Sequence, residues 1–332
     1  MEIKQSNDIQ HYIHCFKTLR RDRKKGGAPH KPILLLSVIQ LIESGYIDTN
    51  KIYLTPELVS AFKTNWTHLV NTDHHMLFPL PFYHMKSEPF WRLKANVGCE
   101  KWVEAKSAMR TFANLNEAVR YAEIDQPLFF LLKEPRFCHE LKLFLLDHYF
   151  PETKQNYPHS VCFNDLNKIA QQIIEEPVPD YQERIEHLEK TLGDNEYQQE
   201  IFVRSHIFKR EIPRIYDYTC CISGLRIDAT TNASMIDACH IIPFSESHND
   251  SITNGLALCP NLHRAFDRGL IGIDDNYQVI ISPIFTEPKE SVYSIMQFSG
   301  QRILLPSMEK YYPDLVSLRR HREGEGLISK LD

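Results

Sequence analysis

Two short segments carry the side chains of this sequence that are best suited to hold a metal ion. The run IDACHIIPF places Asp237, Cys239 and His240 in what otherwise has the composition of a buried strand. Such a strand favours Ile, Val and Phe, so ionisable groups within it need partners or a function. Downstream, His263 and Asp267 lie four residues apart, on one face of a predicted helix, a spacing that metal ligands use in zinc enzymes. Together the segments predict a metal site.

A strand, a loop and a helix are the elements that must position these side chains. We predict the strand at His240, the loop up to Asn254, the helix around His263 and Asp267, and a returning strand and turn in GLIGIDDNYQVII. Taken singly, a His in a strand, a His-x-x-x-Asp pair and an Asn before Gly all have ordinary structural explanations. Their combination in one strand–loop–helix unit favours a functional site.

This unit resembles the HNH nuclease motif, a ββα-metal site. His240, Asn254 and His263 match the H, N and H of that motif, and the flanking CCISGL and AFDRGLIGID are also similar to the family. The resemblance extends over about residues 200–283, with the motif core at 216–283. It implies a metal-dependent endonuclease that hydrolyses DNA phosphodiester bonds.

The resemblance also implies a role for each residue of the motif. His240 is expected to be the general base, since neutral imidazole has a pKa near the operating pH. Asn254 is expected to orient that imidazole or to support the surroundings of the metal. His263 and Asp267 are expected to hold one divalent cation that stabilises the departing oxygen. The expected catalytic set is thus His240, Asn254 and His263.

A further metal ligand is left open between two residues. Many family members have His or Asp directly before the base, where this sequence has Cys239, a soft ligand, whereas Asp237 is a harder one. We favour Asp237 with Mg or Mn, and Zn, Co or Ni remain open. Cys220 and Cys221 are adjacent, and Cys259 has no CxxC partner, so we expect no structural zinc.

A second resemblance covers about residues 1–110. APHKPILLL, followed by EPFWRL, resembles the sulfur-binding domain of phosphorothioate-dependent restriction endonucleases. His30, Lys31 and Pro89 match positions that surround the sulfur in that family, but Glu88 stands in place of its Tyr. A carboxylate beside an anionic DNA backbone is unfavourable. Glu88 therefore keeps open a reader of unmodified DNA, of a small effector, or of a modified base.

Basic and aromatic residues predict how this region contacts double-stranded DNA. The run RRDRKKGGAPHK supplies sequence-independent affinity through phosphates. A flipped modified base could stack on Trp91 or Phe90. The predicted DNA-binding residues are Arg20, Arg21, Arg23, Lys24, Lys25, His30, Lys31, Pro89 and Trp91.

The function that the two resemblances together imply is a modification-dependent restriction endonuclease of bacterial defence that reads phosphorothioate DNA. The alternatives are an HNH nuclease that reads a modified base or unmodified DNA, and a catalytically silent DNA-binding protein. The intact set of His240, Asn254 and His263 argues against the last.

Composition bounds the fold and the partners. The chain has 332 residues, of which 42% are hydrophobic and 24% charged, as in soluble proteins of about two domains. The net charge of −5 weakly disfavours nucleic acid, although the basic residues cluster locally. Without a long apolar run or a signal-like start, we expect no membrane association, a cytoplasmic location and eight reduced Cys. A homodimer is left open.

The predicted fold class is α+β. A mainly helical reader domain with a small sheet is predicted over residues 1–155, a helical linker over 156–199 and the nuclease domain over 200–332. The small sheet is expected from HMKSEPFWRLKAN and EKWVEAK, with a turn at Gly98, whereas NLNEAVRYAEI is expected to be helical.

Overall fold

The computed structural model contains two compact units. One comprises Met1–Leu166 with Gly193–Val203, and the other comprises Asn167–Leu192 with Arg204–Asp332. No described helix is both long and apolar enough to cross a bilayer. The structure describes residues 2–23 (side chains from residue 8), 26–105, 109–158, 160, 163–227, 234–288, 291 and 293–324.

Helices form most of the first unit. The apolar run HKPILLLSVIQLIE forms a buried helix, with every residue from Lys31 to Ile42 buried and Gly45 following it at a φ of 80°. Thr55 caps the helix that begins at Pro56, since its side chain accepts a hydrogen bond from Leu58 N at 3.2 Å. The helices are α1 Glu2–Lys17, α2 His30–Glu43, α3 Pro56–Leu69, α4 Pro79–His84, α5 Glu100–Glu104, α6 Phe112–Ala118, α7 Gln126–Lys133 and α8 Pro135–Tyr149.

The sheet of the first unit differs from the sequence prediction. Its antiparallel strands have the order β1-β3-β2 and are β1 Lys51–Ile52, β2 Trp91–Ala95 and β3 Val119–Ile124. The prediction of a strand in EKWVEAK is wrong, because Glu100–Glu104 forms the helix α5. The helix expected in NLNEAVRYAEI ends at Ala118, and the β-branched and aromatic residues after it form the central strand. Pairing with β2 on one side and β1 on the other decides between helix and strand there.

The remaining elements lead into the second unit, and the division between the units falls within the helices Asn164–Glu175 and Asp194–Ile215. Gly193 lies between two helices, whereas Pro213 lies inside a helix without interrupting it. The helices are α9 Asn164–Glu175, α10 Val178–Thr191, α11 Asp194–Ile215, α12 Phe244–Ser247, α13 Pro260–Asp267 and α14 Leu315–Gly324. The strands are β4 Asp237–His240, β5 Gly255–Leu258, β6 Ile271–Ile273 and β7 Val279–Ile281.

The predicted strand at His240 and helix around His263 and Asp267 are confirmed as β4 and α13, and a second strand, β5, which was not predicted from these residues, lies between Asn254 and the helix. β4 and β5 pair antiparallel, with Asp237 opposite Leu258 and His240 opposite Gly255. α13 follows β5 directly, and β6 and β7 form the returning antiparallel pair. This arrangement of helices with small sheets is consistent with the α+β class.

Gly255 is the point where α11 approaches β5. A Cβ at this position would overlap Cδ1 of Ile212 and would lie 2.8 Å from its Cγ1 and 3.0 Å from Cζ of Phe208. Both contacted side chains are fully buried. The absence of a side chain at Gly255 therefore lets α11 pack directly against the strand that pairs with His240.

Candidate active site

The metal-ligand candidates meet between β4 and α13. One ligand atom each from Cys239, His263 and Asp267 lies within 4.8 Å of the others. Successive side chains of a strand alternate, so Asp237 and Cys239 share a face of β4, and both contact α13. The helical spacing of His263 and Asp267 presents them together to that face. The four residues predicted as ligands are therefore neighbours in the structure.

His263 lies between two carboxylates. Its Nδ1 is 3.3 Å from Oδ2 of Asp237, and its Nε2 is 3.4 Å from Oδ2 of Asp267. An imidazole offers one nitrogen to a given metal ion, and the two carboxylates approach different nitrogens. Among the described residues, the group of mutually close ligand atoms contains Cys239 and not Asp237, so Asp237 stays a candidate for the third ligand on the chemistry of its oxygen donor.

Cys239 is fully buried, and its Sγ lies 3.8 Å from Oδ1 of Asp267. Burial, followed by the negative charge of Asp267, raises the pKa of this thiol. A thiol, an imidazole and a carboxylate form a donor set that suits Zn, Co or Ni, whereas the imidazole with Asp237 and Asp267 suits Mn or Mg. The donor chemistry therefore fits a divalent cation with either third ligand.

His240 is held by a buried carboxylate that sequence analysis did not identify. Its Nε2 is 2.7 Å from Oδ1 of Asp250, which is fully buried. The ring of Phe208 stacks on the imidazole, with centroids 4.0 Å apart and planes at 9°. Because an ionised carboxylate only accepts, the contact places a proton on Nε2 and leaves Nδ1 with its lone pair. The only signal in the sequence was an acidic residue in the loop before Asn254.

Asn254 has a different position from the one expected. Its side chain is fully buried and accepts a hydrogen bond from Ile242 N at 3.0 Å. Its amide nitrogen donates to the carbonyl oxygens of Ile242 at 2.9 Å and Asn249 at 2.8 Å. Asn254 thus braces the backbone beyond β4 and just before Asp250, and it is Asp250 that accepts the hydrogen bond of the imidazole.

A cavity of about 380 Å³ lies at this site. Its lining includes His240, His263 and Asp267, together with Glu246 and Arg320. The candidate base and two of the candidate metal ligands therefore border the same space.

In the first unit, the predicted basic residues differ in exposure. Arg20, Arg23 and Pro89 are exposed. Arg21 is half-buried, stacks 4.5 Å from the ring centroid of Tyr149 and donates to the carbonyl of Ala28 at 3.1 Å. The two predicted contacts that lie outside the described residues are Lys24 and Lys25.

Lys31 and Glu88 form an ion pair below the surface. Their exposed fractions are 6% and 5%, and Glu88 also accepts a hydrogen bond from Arg20 N at 3.0 Å. Burial lowers the pKa of Lys31, and the hydrogen bond and charge of Glu88 oppose that shift. The structure thus holds Lys31 inside the unit rather than at its surface, and this ion pair compensates the negative charge of Glu88.

The aromatic residues of EPFWRL belong to the core. Trp91 is 1% exposed, and its ring packs against Phe82 with centroids 5.4 Å apart. Phe90 is fully buried and packs against Phe16 at 5.4 Å. Neither ring is presented for stacking on a DNA base, because each fills the interior of the unit.

His30 is half-buried near the start of α2. Its Nε2 is 2.8 Å from the carbonyl oxygen of His75, and its ring centroid is 4.6 Å from that of Trp66. Burial lowers the pKa of His30, which favours the neutral ring. This residue offers a polar, uncharged group rather than a phosphate-binding charge.

A comparison with protein families gives a match to the segment of the second unit that holds the candidate site. Residues 220–274 match a family described as HNH endonuclease, which supports nuclease activity. No curated protein has a significant match to the chain. A solved structure described as "Modification dependent TagI restriction endonuclease" is similar at 22% identity over 35% of this chain and 36% of that chain, with a TM-score of 0.26. A similarity of this extent carries no argument about function.

Proposed function

We propose that this protein is a metal-dependent HNH endonuclease that hydrolyses phosphodiester bonds in double-stranded DNA. The observation that carries the proposal is the strand–loop–helix unit within residues 220–274, where His240, His263 and Asp267 border one cavity and buried Cys239 lies beside the two ligand candidates. A base beside a cation site is the arrangement that phosphodiester hydrolysis requires.

In this proposal His240 accepts the proton of the attacking water at Nδ1. Asp250 accepts a hydrogen bond from Nε2 and thereby keeps the ring proton on Nε2, which leaves Nδ1 free to act as the base. The charge of Asp250 also stabilises the imidazolium that forms. Phe208 restricts the tilt of the ring by stacking on it. Asn254 holds the backbone that connects the base to Asp250.

The proposed metal ligands are His263 and Asp267, with Asp237 or Cys239 as the third. A bound divalent cation would supply positive charge for the scissile phosphate and the departing oxygen. The burial of Cys239 keeps its thiol protonated in the absence of a cation, so the residue is a thiolate ligand only if it gives up that proton.

We further propose that the first unit reads DNA and prefers phosphorothioate backbones, as a restriction enzyme of bacterial defence would. Exposed Arg20 and Arg23 are suited to phosphates, and exposed Pro89 offers an apolar wall to sulfur, which is less strongly hydrated than oxygen. The internal pairing of Glu88 with Lys31 supports this reading, because it removes the repulsion that a free carboxylate would cause. The burial of Trp91 and Phe90 weakens the alternative of a stacked modified base.

The test is digestion of plasmids that differ only in modification: none, backbone sulfur, or a modified cytosine. Full-length protein would be incubated with Mg²⁺ or Mn²⁺, with EDTA and His240→Ala as controls. We expect metal-dependent cleavage, fastest on sulfur-containing DNA, and a rate lower by about 10²–10⁴ in His240→Ala. Equal cleavage of all plasmids would reject the sulfur preference, and binding without cleavage would favour the catalytically silent alternative.

A further inference from the structure

The C-terminal helix α14 borders the cavity of the candidate active site. His321 stacks on Phe266 of α13, with centroids 3.8 Å apart and planes at 6°, and its Nε2 is 3.1 Å from the carbonyl oxygen of the same residue. Phe266 lies between the two proposed metal ligands of α13. The helix that holds those ligands is therefore also the support of α14.

A second attachment fixes the other side of α14. Arg322 is buried, donates to the carbonyl of Ile273 and pairs with Asp275 at 2.8 Å. Arg319 pairs with the same carboxylate at 2.7 Å. The two guanidinium groups lower the pKa of Asp275 to about 2. Arg319 and Arg322 are thus both paired with Asp275, and Arg320 is the arginine of the helix that lines the cavity.

Arg320 carries the permanent positive charge of the cavity. Among the described lining residues it is the sole Arg or Lys. Its Nη2 is 3.9 Å from Oε2 of Glu246, and both side chains are 59% exposed. An exposed pair at this distance is weak, so a phosphate can replace the carboxylate. Guanidinium groups bind phosphates through two parallel hydrogen bonds.

We propose that Arg320 binds a backbone phosphate of the DNA strand in the active site, and that Glu246 holds its guanidinium when DNA is absent. This inference rests on the proposed nuclease function and adds a substrate-binding residue outside the segment that matches the HNH family. The neighbours of Arg320, which are Arg319, His321 and Arg322, attach the helix, so the proposal gives a role to the remaining basic residue of residues 318–322.

The test compares Arg320→Ala with Arg319→Ala in the full-length protein, because both changes remove one positive charge from the same helix. Cleavage rates and KM would be measured on a plasmid that the wild-type protein cuts, and duplex binding would be measured by anisotropy at several salt concentrations. We expect Arg320→Ala to lose about 10- to 100-fold in cleavage efficiency, as for a hydrogen-bonded charge. The slope of the logarithm of its DNA-binding constant against the logarithm of salt concentration, the salt slope, should fall by the amount expected for about one phosphate contact.

Arg320→Lys should recover part of the cleavage, and Glu246→Gln should retain or raise DNA affinity. Arg319→Ala should remain within about twofold of wild type, because its ion pair is half exposed and Arg322 and His321 still attach the helix to Asp275, Ile273 and Phe266. Equal effects of Arg320→Ala and Arg319→Ala on both cleavage and salt slope would overturn the inference while leaving the nuclease proposal intact. If the wild-type protein cuts no duplex, the nuclease proposal fails, and the salt slopes alone decide whether Arg320 contacts phosphate.

Discussion

Asp250 is the residue that defines the chemistry of His240 in this structure. The carboxylate is fully buried, and its contact with Nε2 determines which ring nitrogen is basic. Its second oxygen has no hydrogen-bond partner among the described residues. The carboxylate is thus held mainly by the imidazole that it orients.

Replacing this carboxylate should impair cleavage without removing the base itself. We expect Asp250→Asn to lower the single-turnover rate by about 10- to 100-fold, because an amide can hold the ring in the wrong tautomer and cannot stabilise the imidazolium. Asp217→Asn, at an exposed carboxylate of the same unit, is the matched control. An unchanged rate in Asp250→Asn would contradict the assignment of a positioning role.

The metal ligands can be separated by calorimetric titration with Mn²⁺. We expect His263→Ala and Asp267→Ala each to weaken binding by at least about tenfold, or about 1.4 kcal/mol. Of Asp237→Ala and Cys239→Ala, the variant with the larger loss identifies the third ligand, and loss in Asp237→Ala alone would match the preference of Mn²⁺ for oxygen. Unchanged affinity in both His263→Ala and Asp267→Ala would refute the site.

A substitution of Lys31 distinguishes a structural role, in the ion pair with Glu88, from a contact with DNA phosphate. We expect Lys31→Met to destabilise the protein by about 3–5 kcal/mol, because it leaves the carboxylate of Glu88 buried without its partner. The double variant Lys31→Met with Glu88→Gln should recover much of that stability, which thermal unfolding would show. A stable Lys31→Met protein with a reduced salt slope of DNA binding would instead indicate a phosphate contact.

At the scale of elements, the packing of α11 on β5 supports the candidate base. Phe208 of α11 contacts His240 by stacking and limits the space beside Gly255. The stack is possible only because Gly255 allows the helix to approach the strand. The position of the His240 imidazole thus depends on the packing of three elements, β4, β5 and α11.

A methyl group at Gly255 should disturb this packing. We expect Gly255→Ala to destabilise the protein by about 1–3 kcal/mol, the usual effect of overpacking a filled core, and to lower the cleavage rate by displacing Phe208. Gly193→Ala is the control, since the nearest contact of its Cβ would be at 3.4 Å. Equal stability of the two variants in thermal unfolding would contradict the close approach of α11.

At the scale of the whole molecule, local charge matters more than the net charge of −5. Exposed Arg20 and Arg23 belong to the first unit, whereas the candidate cleavage site and Arg320 belong to the second. Each unit therefore exposes the basic groups that we propose for contacts with phosphate. This distribution makes DNA binding by an acidic protein physically reasonable.

Salt dependence measures the contribution of the first unit. We expect the double variant Arg20→Ala with Arg23→Ala to bind duplex DNA more weakly and with a salt slope smaller by about two contacts. Lys133→Ala with Arg136→Ala removes the same charge from exposed positions on α7 and α8 and should leave the slope unchanged. Identical slopes in the two double variants would argue against phosphate contacts at Arg20 and Arg23.

Local features of the chain were determined by the sequence itself. The cap at Thr55, the break at Gly193 and the shared face of His263 and Asp267 depend on residues at most a few positions apart. Backbone sterics and helix periodicity act over that range, so these features follow from spacing and residue type. The strand at His240 and the helix around His263 and Asp267 were each predictable for the same reason, whereas their assembly depends on the pairing of β4 with β5 and on the contact of β4 with α13.

Which side chains contact each other across long stretches of the sequence was decided only by the tertiary structure. Asp250 reaches His240 through the fold of a loop, and Lys31 meets Glu88 across 57 positions of the chain. Trp91 is an interior residue because β2 is covered on that side, although its sequence also suited a DNA-stacking surface. Residue type states what a side chain can do, but burial and the nearest opposite charge decide what it does, and both are properties of distant segments packed together.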